Sequence, residues 1–223
     1  MTKDLFVFDA YGTLFDVAAA ARQVAQGHAP VAPLWPALAE DWRRKQLEYS
    51  WLRTIMGAHD DFAQVTADAL DWALEARGLM DAGLRQALLQ AFRRLPAFPE
   101  AAAALDALRA RGKRLAILSN GSPAMLEEAV GSAGLADRFE AVISVEQAGI
   151  YKPAHAVYAL VETVTGVPPA RVAFVSSNGW DVAGAARFGF TTAWVNRAGA
   201  PIDRLPHGPA RIISDLTQLE ALA

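Results

Sequence analysis

An acid at Asp9, a hydroxyl and an amide at Ser119-Asn120, an ammonium at Lys152, and the run Ser176-Ser177-Asn178 followed by Asp181 are the groups in this chain whose placement invites chemistry. Most stand just past a short apolar run: Asp9 after Leu5–Phe8, Ser119 after Leu115–Leu118, Ser176 after Val172–Val175. A carboxylate can act as nucleophile, an ammonium opposite it keeps it ionised, and a hydroxyl with an amide can hold an anion. Taken singly, each has an ordinary reading. Asp9 serves as a turn or helix cap, Lys152 as a solvated cation, Ser119-Asn120-Gly121 as a turn, and Asp181 as a first-turn acid favoured by a helix dipole. Their recurrence at successive strand ends argues for a shared crevice, because ligands of open parallel sheets bind outside the carboxyl ends of the strands. Lys152 is one of four lysines and precedes Pro153 at a helix start, where a cation gains nothing from the dipole. Gly12 lets the chain turn closely around Asp9.

The elements that must position these groups follow from the hydrophobic pattern. Leu5–Phe8, Leu115–Leu118, Ala141–Ile143, Val172–Val175 and Ala193–Val195 are continuous apolar runs, the mark of parallel strands buried on both faces. Arg211–Ser214 reads as an edge strand before a short final helix. Between the runs, Pro99–Arg111, Pro123–Ala133 and Ala154–Thr165 read as crossover helices, each with glycine just past its end. About a hundred residues separate the first two strands, far more than a crossover needs, and their periodicity is helical. Trp42, Leu47, Trp51 and Ile55 recur at helical spacing, and Phe62–Arg77 and Leu84–Leu95 also read as helices. The expected fold is α/β: a Rossmann-like parallel-sheet core of residues 1–15 and 98–223, with an inserted helical cap subdomain at residues 16–97.

Composition narrows the function classes. With 53% apolar and 20% charged residues the chain is an ordinary globular one of 223 residues. Its 21 basic and 24 acidic residues leave a net charge of −3, and no basic cluster exceeds Arg43-Arg44-Lys45, which speaks against nucleic acid. The absence of cysteine excludes disulfides, thiolate metal sites and a cysteine nucleophile. The start Met1-Thr2-Lys3-Asp4 lacks a signal-peptide pattern, and no stretch is long and apolar enough to span a bilayer, so no membrane partner and a cytoplasmic location are expected. His28, His59, His155 and His207 fall away from the strand ends, which disfavours a histidine-based triad.

Asp9-x-x-x-Thr13, Ser119, Lys152 and an acidic motif ending in Asp181 occur in order on this scaffold, and together they resemble the haloacid dehalogenase superfamily over nearly the whole chain. Most such proteins are magnesium phosphatases carrying Asp-x-Asp in the first motif and a further acid in the fourth. Here Tyr11 and Ser177 stand at those positions, which removes an acid/base group and a metal ligand. Longer matches resemble instead the L-2-haloacid dehalogenase branch: Asp9–Val17, Trp42–Tyr49, Leu118–Pro123, Tyr151–Pro153 and Phe174–Asp181. Arg44, at a pocket position, and Gly179 depart from that branch.

The resemblance implies an aspartyl-ester mechanism with Asp9 as nucleophile, no metal and no cofactor. The substrate would be a small L-2-halo carboxylic acid, converted to a D-2-hydroxy acid and a halide ion. It further implies a halide cradle of Arg43 and Asn120, and a carboxylate site of Ser119, Lys152 and the backbone amides of Ala10 and Tyr11. Thr13, Tyr158, Ser176, Asn178 and Asp181 would support the nucleophile, the lysine or the hydrolytic water, with Asp181 orienting that water. Leu47, Phe62 and Trp180 would line an apolar pocket, and a homodimer is expected. Two rival readings stand beside it: a magnesium-dependent phosphatase or phosphonate hydrolase of the same fold, and a non-catalytic scaffold.

Overall fold

The computed structural model describes residues 3–222. Six strands, β1 (Leu5–Phe8), β2 (Arg114–Ser119), β3 (Ala141–Ser144), β4 (Val172–Ser176), β5 (Thr191–Val195) and β6 (Arg211–Ile213), form one sheet. Its order is β3-β2-β1-β4-β5-β6, every neighbouring pair parallel. The chain leaves β1 toward β2 and β3 and later returns to its other side as β4, so the order reverses at β1 and opens a crevice there. Phe8 is in register with Ile117 and Val175, and the Asp9 amide extends the ladder to the Val175 carbonyl at 2.9 Å. Asp9 thus emerges level with the ends of both neighbouring strands.

Double-sided burial holds for the interior of the sheet, where every residue of β1 and β4 is buried. It fails at the margins, because Val142 of β3 and Ile212 of β6 are exposed on edge strands that have a neighbour on one side only. β5 begins two residues earlier than its apolar run suggests. Thr191 and Thr192 precede Ala193, and Thr192 is buried, a β-branched residue that suits a strand despite its hydroxyl.

Four helices fill the stretch between β1 and α5 (Ala101–Ala110): α1 (Ala19–Ala25), α2 (Trp35–Met56), α3 (Phe62–Ala76) and α4 (Ala82–Arg93). Asp61 caps α3 by accepting from the Ala63 amide, and Asp81 caps α4 by accepting from the Leu84 amide. The chain enters and leaves this insert side by side. Asp16 N donates to Pro96 O at 3.0 Å, Phe98 N donates to Leu14 O at 2.8 Å, and Phe15 and Ala97 form an antiparallel bridge. The crossovers α6 (Pro123–Ser132) and α7 (His155–Thr165) fall where glycine and proline punctuation places them. A further helix, α8 (Gly179–Phe188), has a sequence rich in glycine and alanine that hides its period. Among the described residues no helix is long and apolar enough to cross a membrane.

Candidate active site

Asp9 leaves β1 into a tight loop. Gly12 holds a φ of +89°, which a side chain would strain, and a Cβ there would stand 3.1 Å from Ser177 Oγ. The loop folds back through Leu14 N to Ala10 O and Gly12 N to Phe15 O, and it places Thr13 beside Asp9. Thr13 Oγ1 donates to Asp9 Oδ2 at 2.9 Å and accepts from the Ser177 amide at 2.8 Å. Asn178 Nδ2 donates to the same Oδ2 at 3.0 Å. Asp9 Oδ1 accepts from Lys152 Nζ at 3.1 Å. Two donors saturate Oδ2, whereas Oδ1 keeps a lone pair. Ser176, fully buried, accepts from the Asn178 amide at 3.1 Å and so steadies that residue.

Lys152 bridges two acids. Its Nζ also donates to Asp181 Oδ2 at 2.9 Å, and its side chain is 1% exposed. Burial is the largest single influence on this ammonium and pulls its pKa down, but Asp181 and Asp9 together outweigh it and the value is raised above 10.5. Asp181 is held above its ordinary carboxylate value, first by burial and then by the Asp9 charge, with Lys152 pulling the other way. Tyr158 donates to Asp181 Oδ1 at 2.8 Å, and burial beside that acid raises the phenol pKa well above 10. Gly184 permits this approach of α7 to α8, since a Cβ there would fall 2.5 Å from Tyr158 Oη and 2.7 Å from Pro153 Cβ.

At the end of β2, Asn120 Oδ1 accepts from the Lys152 amide at 3.0 Å. A backbone N–H can only donate, so that bond fixes which way the amide faces. Asn120 Nδ2 has no acceptor among the described residues, and neither have the backbone amides of Ala10 and Tyr11. Ser119 Oγ is fully buried and accepts from the Gly121 amide at 3.1 Å. These are free N–H groups beside a nucleophilic carboxylate, the composition of an anion site.

The inserted helices close over the crevice. Arg43 of α2 sends Nη2 to Tyr11 O and to Asn178 Oδ1, each at 3.3 Å. Asn178 therefore accepts from Arg43 with one atom and donates to Asp9 with the other. Desolvation pulls the Arg43 pKa below its ordinary value while Asp9, Tyr11 and Asp181 draw it back, and the guanidinium stays charged. Two turns along α2, Trp51 meets Trp180 edge-on with centroids 5.3 Å apart. Leu47, half-buried, lies on the same helical face between Arg43 and Trp51. Phe62, fully buried, packs on Tyr11 and Tyr151 at 6.0 and 5.8 Å, and burial raises the pKa of the Tyr11 phenol. His59 packs at a tilt on Tyr151 with centroids 4.7 Å apart and pairs with Glu146 at 2.9 Å, bracing the insert against the segment that follows β3.

Of the polar side chains anticipated at the site, Asp9, Thr13, Arg43, Lys152, Tyr158, Asn178 and Asp181 stand in a single hydrogen-bonded assembly, Asn120 joins it through the Lys152 amide, and Ser119 and Ser176 each accept only from a backbone amide two residues on. Arg44 is no pocket residue: it is exposed, pairs with Asp41 and Glu48, and lies over Trp72. Gly179 has a local reason, because the Asp203 carboxylate occupies the space a Cβ would need. Sequence reasoning missed Gln46, Thr66 and Gly184. The signal for Gln46 lay in α2, where Leu38, Trp42, Gln46 and Ser50 form the buried stripe at steps of four and two of its members are polar.

Comparison with known proteins places the chain in a family. A family profile for haloacid dehalogenase-like hydrolases matches residues 3–189. The chain is 43% identical over 217 residues to (S)-2-haloacid dehalogenase 1 of Pseudomonas sp. (strain CBS-3), covering 97% of this chain and 94% of that one. It is 50% identical over 192 residues to the (S)-2-haloacid dehalogenase of Xanthobacter autotrophicus, covering 86% and 74%. A solved structure of the L-2-haloacid dehalogenase from Xanthobacter autotrophicus with chloropropionic acid covalently bound superposes with a TM-score of 0.90 at 40% identity, covering 99% of this chain and 98% of that one.

Proposed function

The chain belongs to the haloacid dehalogenase-like hydrolases, and from that premise we propose that it hydrolyses short L-2-haloalkanoic acids to D-2-hydroxy acids and halide. The enzyme is a hydrolase of carbon–halide bonds. The observation that carries this reading is the Asp9 carboxylate: Oδ2 is saturated by Thr13 and Asn178, Oδ1 is charge-paired to Lys152 with a lone pair to spare, and an arginine lies across the crevice.

In the first step Asp9 Oδ1 attacks C2 from the side opposite the halogen. The new C–O bond forms as the carbon–halogen bond breaks, the halide leaves with the bonding pair, and C2 inverts. Arg43 and the free Nδ2 of Asn120 receive the halide, while the amides of Ala10 and Tyr11, with Ser119 and Lys152, hold the substrate carboxylate so that C2 is in line. In the second step water attacks the ester carbonyl carbon of Asp9. Asp181 accepts a proton from the water and returns it to the departing alkoxide oxygen, so that the hydroxy acid leaves, the water's second proton passes to solvent, and the regenerated Asp9 carboxylate keeps the water's oxygen. The raised pKa of Asp181 and its bonds to Lys152 and Tyr158 suit that role. Leu47, Phe62 and Trp180 keep the site dry around the alkyl group. Lys152 already supplies the positive charge between the two acids, so the chemistry needs no metal.

We assign residues 16–97 to a cap and residues 1–15 and 98–223 to the core; the paired passage of the chain at Leu14–Asp16 and Pro96–Phe98 supports that division. We further assign the enzyme to the cytoplasm as a homodimer. Support for the dimer comes from α2, whose Leu52, Ile55 and Met56 are exposed apolar residues beside a cavity of about 630 Å³ lined by Tyr49, Arg53 and Asp68.

The test is halide release from racemic 2-chloropropionate in the presence of EDTA, run beside phosphate release from an aryl phosphate with magnesium. Release that ignores EDTA and stops near half conversion is the expected result. Phosphate release alone would refute it.

A further inference from the structure

Arg43 is itself held. Its Nη1 donates at 2.9 Å to Oε1 of Gln46, three residues further along α2, and Gln46 is 1% exposed. Gln46 Nε2 donates at 2.7 Å to Thr66 Oγ1 on α3, and the Thr66 hydroxyl donates at 2.7 Å to the Phe62 carbonyl. The Trp42 indole donates at 2.9 Å to the Thr66 carbonyl, which locks the two helices together at this level. The relay has one direction only. Thr66 has a single proton and gives it to a carbonyl, so toward Gln46 it can only accept. The Gln46 amide must therefore turn its NH2 to Thr66 and its oxygen to Arg43. Flipped, it would set donor against donor at both ends of a buried chain.

We propose that Gln46 is a positioning residue of the dehalogenation step: it holds Nη1 of Arg43 so that Nη2 reaches Tyr11 and Asn178 and the remaining N–H groups stay available to the departing halide. The proposal rests on the dehalogenase reading given above. Guanidinium rotamers are flexible, and an arginine reaching across from a separate set of helices has little else to fix it. A neutral carbonyl suits the task better than a carboxylate, which would pair with Arg43 and compete with the halide for its charge. Thr66 sets the amide's orientation, and Phe62, whose ring also packs on Tyr11, anchors the relay's far end.

The test compares the full-length wild type with Gln46→Glu, Gln46→Leu, Thr66→Val and Thr66→Ser. It measures kcat and KM on 2-chloropropionate and 2-bromopropionate, inhibition by free bromide, and the melting temperature. Gln46→Glu and Gln46→Leu are expected to lose tenfold or more in kcat, more with the poorer leaving group chloride than with bromide, and to raise the inhibition constant of bromide several-fold. Thr66→Val should shift the same readouts in the same direction by less, and Thr66→Ser, which keeps the hydroxyl, should restore them. A loss equal on both acids with bromide inhibition unchanged would make Gln46 a packing residue and overturn the proposal, as would wild-type kinetics in all variants. If Gln46→Leu fails to fold, Gln46→Glu and the threonine pair decide the matter by the same readouts. A wild type that releases no halide from either acid sinks the dehalogenase reading itself, and the role of Gln46 with it.

Discussion

The strand ends and the cap hold their functional groups by different means. At the crevice, Asp9, Lys152 and Asp181 are buried charges tied to one another and to neutral donors, Asp9 at the end of β1, Lys152 in the turn before α7 and Asp181 in the first turn of α8. On the inserted helices, one arginine makes two long bonds into the site, rings carry the contact beside it, Trp51 on Trp180 and Phe62 on Tyr11, and further out His59 pairs with Glu146 while Tyr151 bonds to Thr54 and to the Asp60 carbonyl. In the proposed function bond making falls to the strand-end half, while the half joined through the paired passage at residues 14–16 and 96–98 would receive the halide and exclude water. Substitutions on the two sides should accordingly differ in kind as well as in size.

The largest effect is expected at Asp9. Asp9→Asn should lose about 10⁴-fold or more in turnover with its circular dichroism unchanged, since the nucleophile goes while the hydrogen-bonding shape stays. Mass spectrometry after a single wild-type turnover in oxygen-18 water should find the label in Asp9; label appearing directly in the hydroxy acid would exclude the ester. Lys152→Met should destroy activity and also destabilise the fold by about 3–5 kcal/mol in a urea titration, because two buried acids lose their shared partner. Stability equal to wild type would mean that the strand-end charges are not the rigid frame described here.

The pH dependence separates the halves further. Lys152 has a raised pKa in the fold, so its contribution to stability is full below 10.5 and is lost as pH climbs through the higher folded value. Tyr11 and Tyr158, likewise raised, add to the same alkaline decline. Urea midpoints should fall above pH 10.5 in the wild type and fall less steeply in Lys152→Met. On the acid side, kcat should decline as Asp181 takes up a proton at a pH above the ordinary 3.8, since a protonated acid cannot accept one from water.

Substitutions where α2 meets α8, and on the outer face of α2, come lower on the scale. Trp180→Ala should raise KM by roughly tenfold, chiefly for substrates with longer alkyl groups, and leave kcat within a few-fold. The smallest effect on turnover is expected for Ile55→Lys. Ile55 is 79% exposed on the outer face of α2, so if the proposed dimer forms through that face, light scattering should report its loss while kcat changes little.

Much of the strand-end half was legible in the sequence, because buried parallel strands are continuous apolar runs and their ends are marked by polar residues. Asp9, Ser119, Ser176 and Asp181 could be placed that way. The cap half was legible only in outline. Helical spacing located α2, and resemblance pointed to Arg43, but nothing local distinguishes Gln46, a good helix former that reads as a surface residue until the stripe Leu38-Trp42-Gln46-Ser50 is seen to face inward. Gly184 was hidden for another reason: its role is defined by Tyr158 on a different helix, and pattern along one helix carries no news of its neighbour. α8 was legible only at its first turn, through Asp181, because Gly179, Gly184 and its alanines flatten the period.

The shared ammonium of Lys152 has a consequence for charge conservation through the cycle. Two carboxylates and one ammonium leave the strand ends with an excess of one negative charge, which on its own repels an incoming carboxylate substrate. Arg43, reaching Tyr11 and Asn178 from α2, cancels that excess, so the halo acid enters a site of no net charge and carries in the only surplus electron. During displacement that surplus does not grow. Asp9 gives up its charge to become an ester, and the halide takes it away. Once the halide has left, the ester, the substrate carboxylate, Asp181, Lys152 and Arg43 again sum to zero. The intermediate that awaits water is thus electrically neutral, and nothing but the halide ion need be exported to make it so.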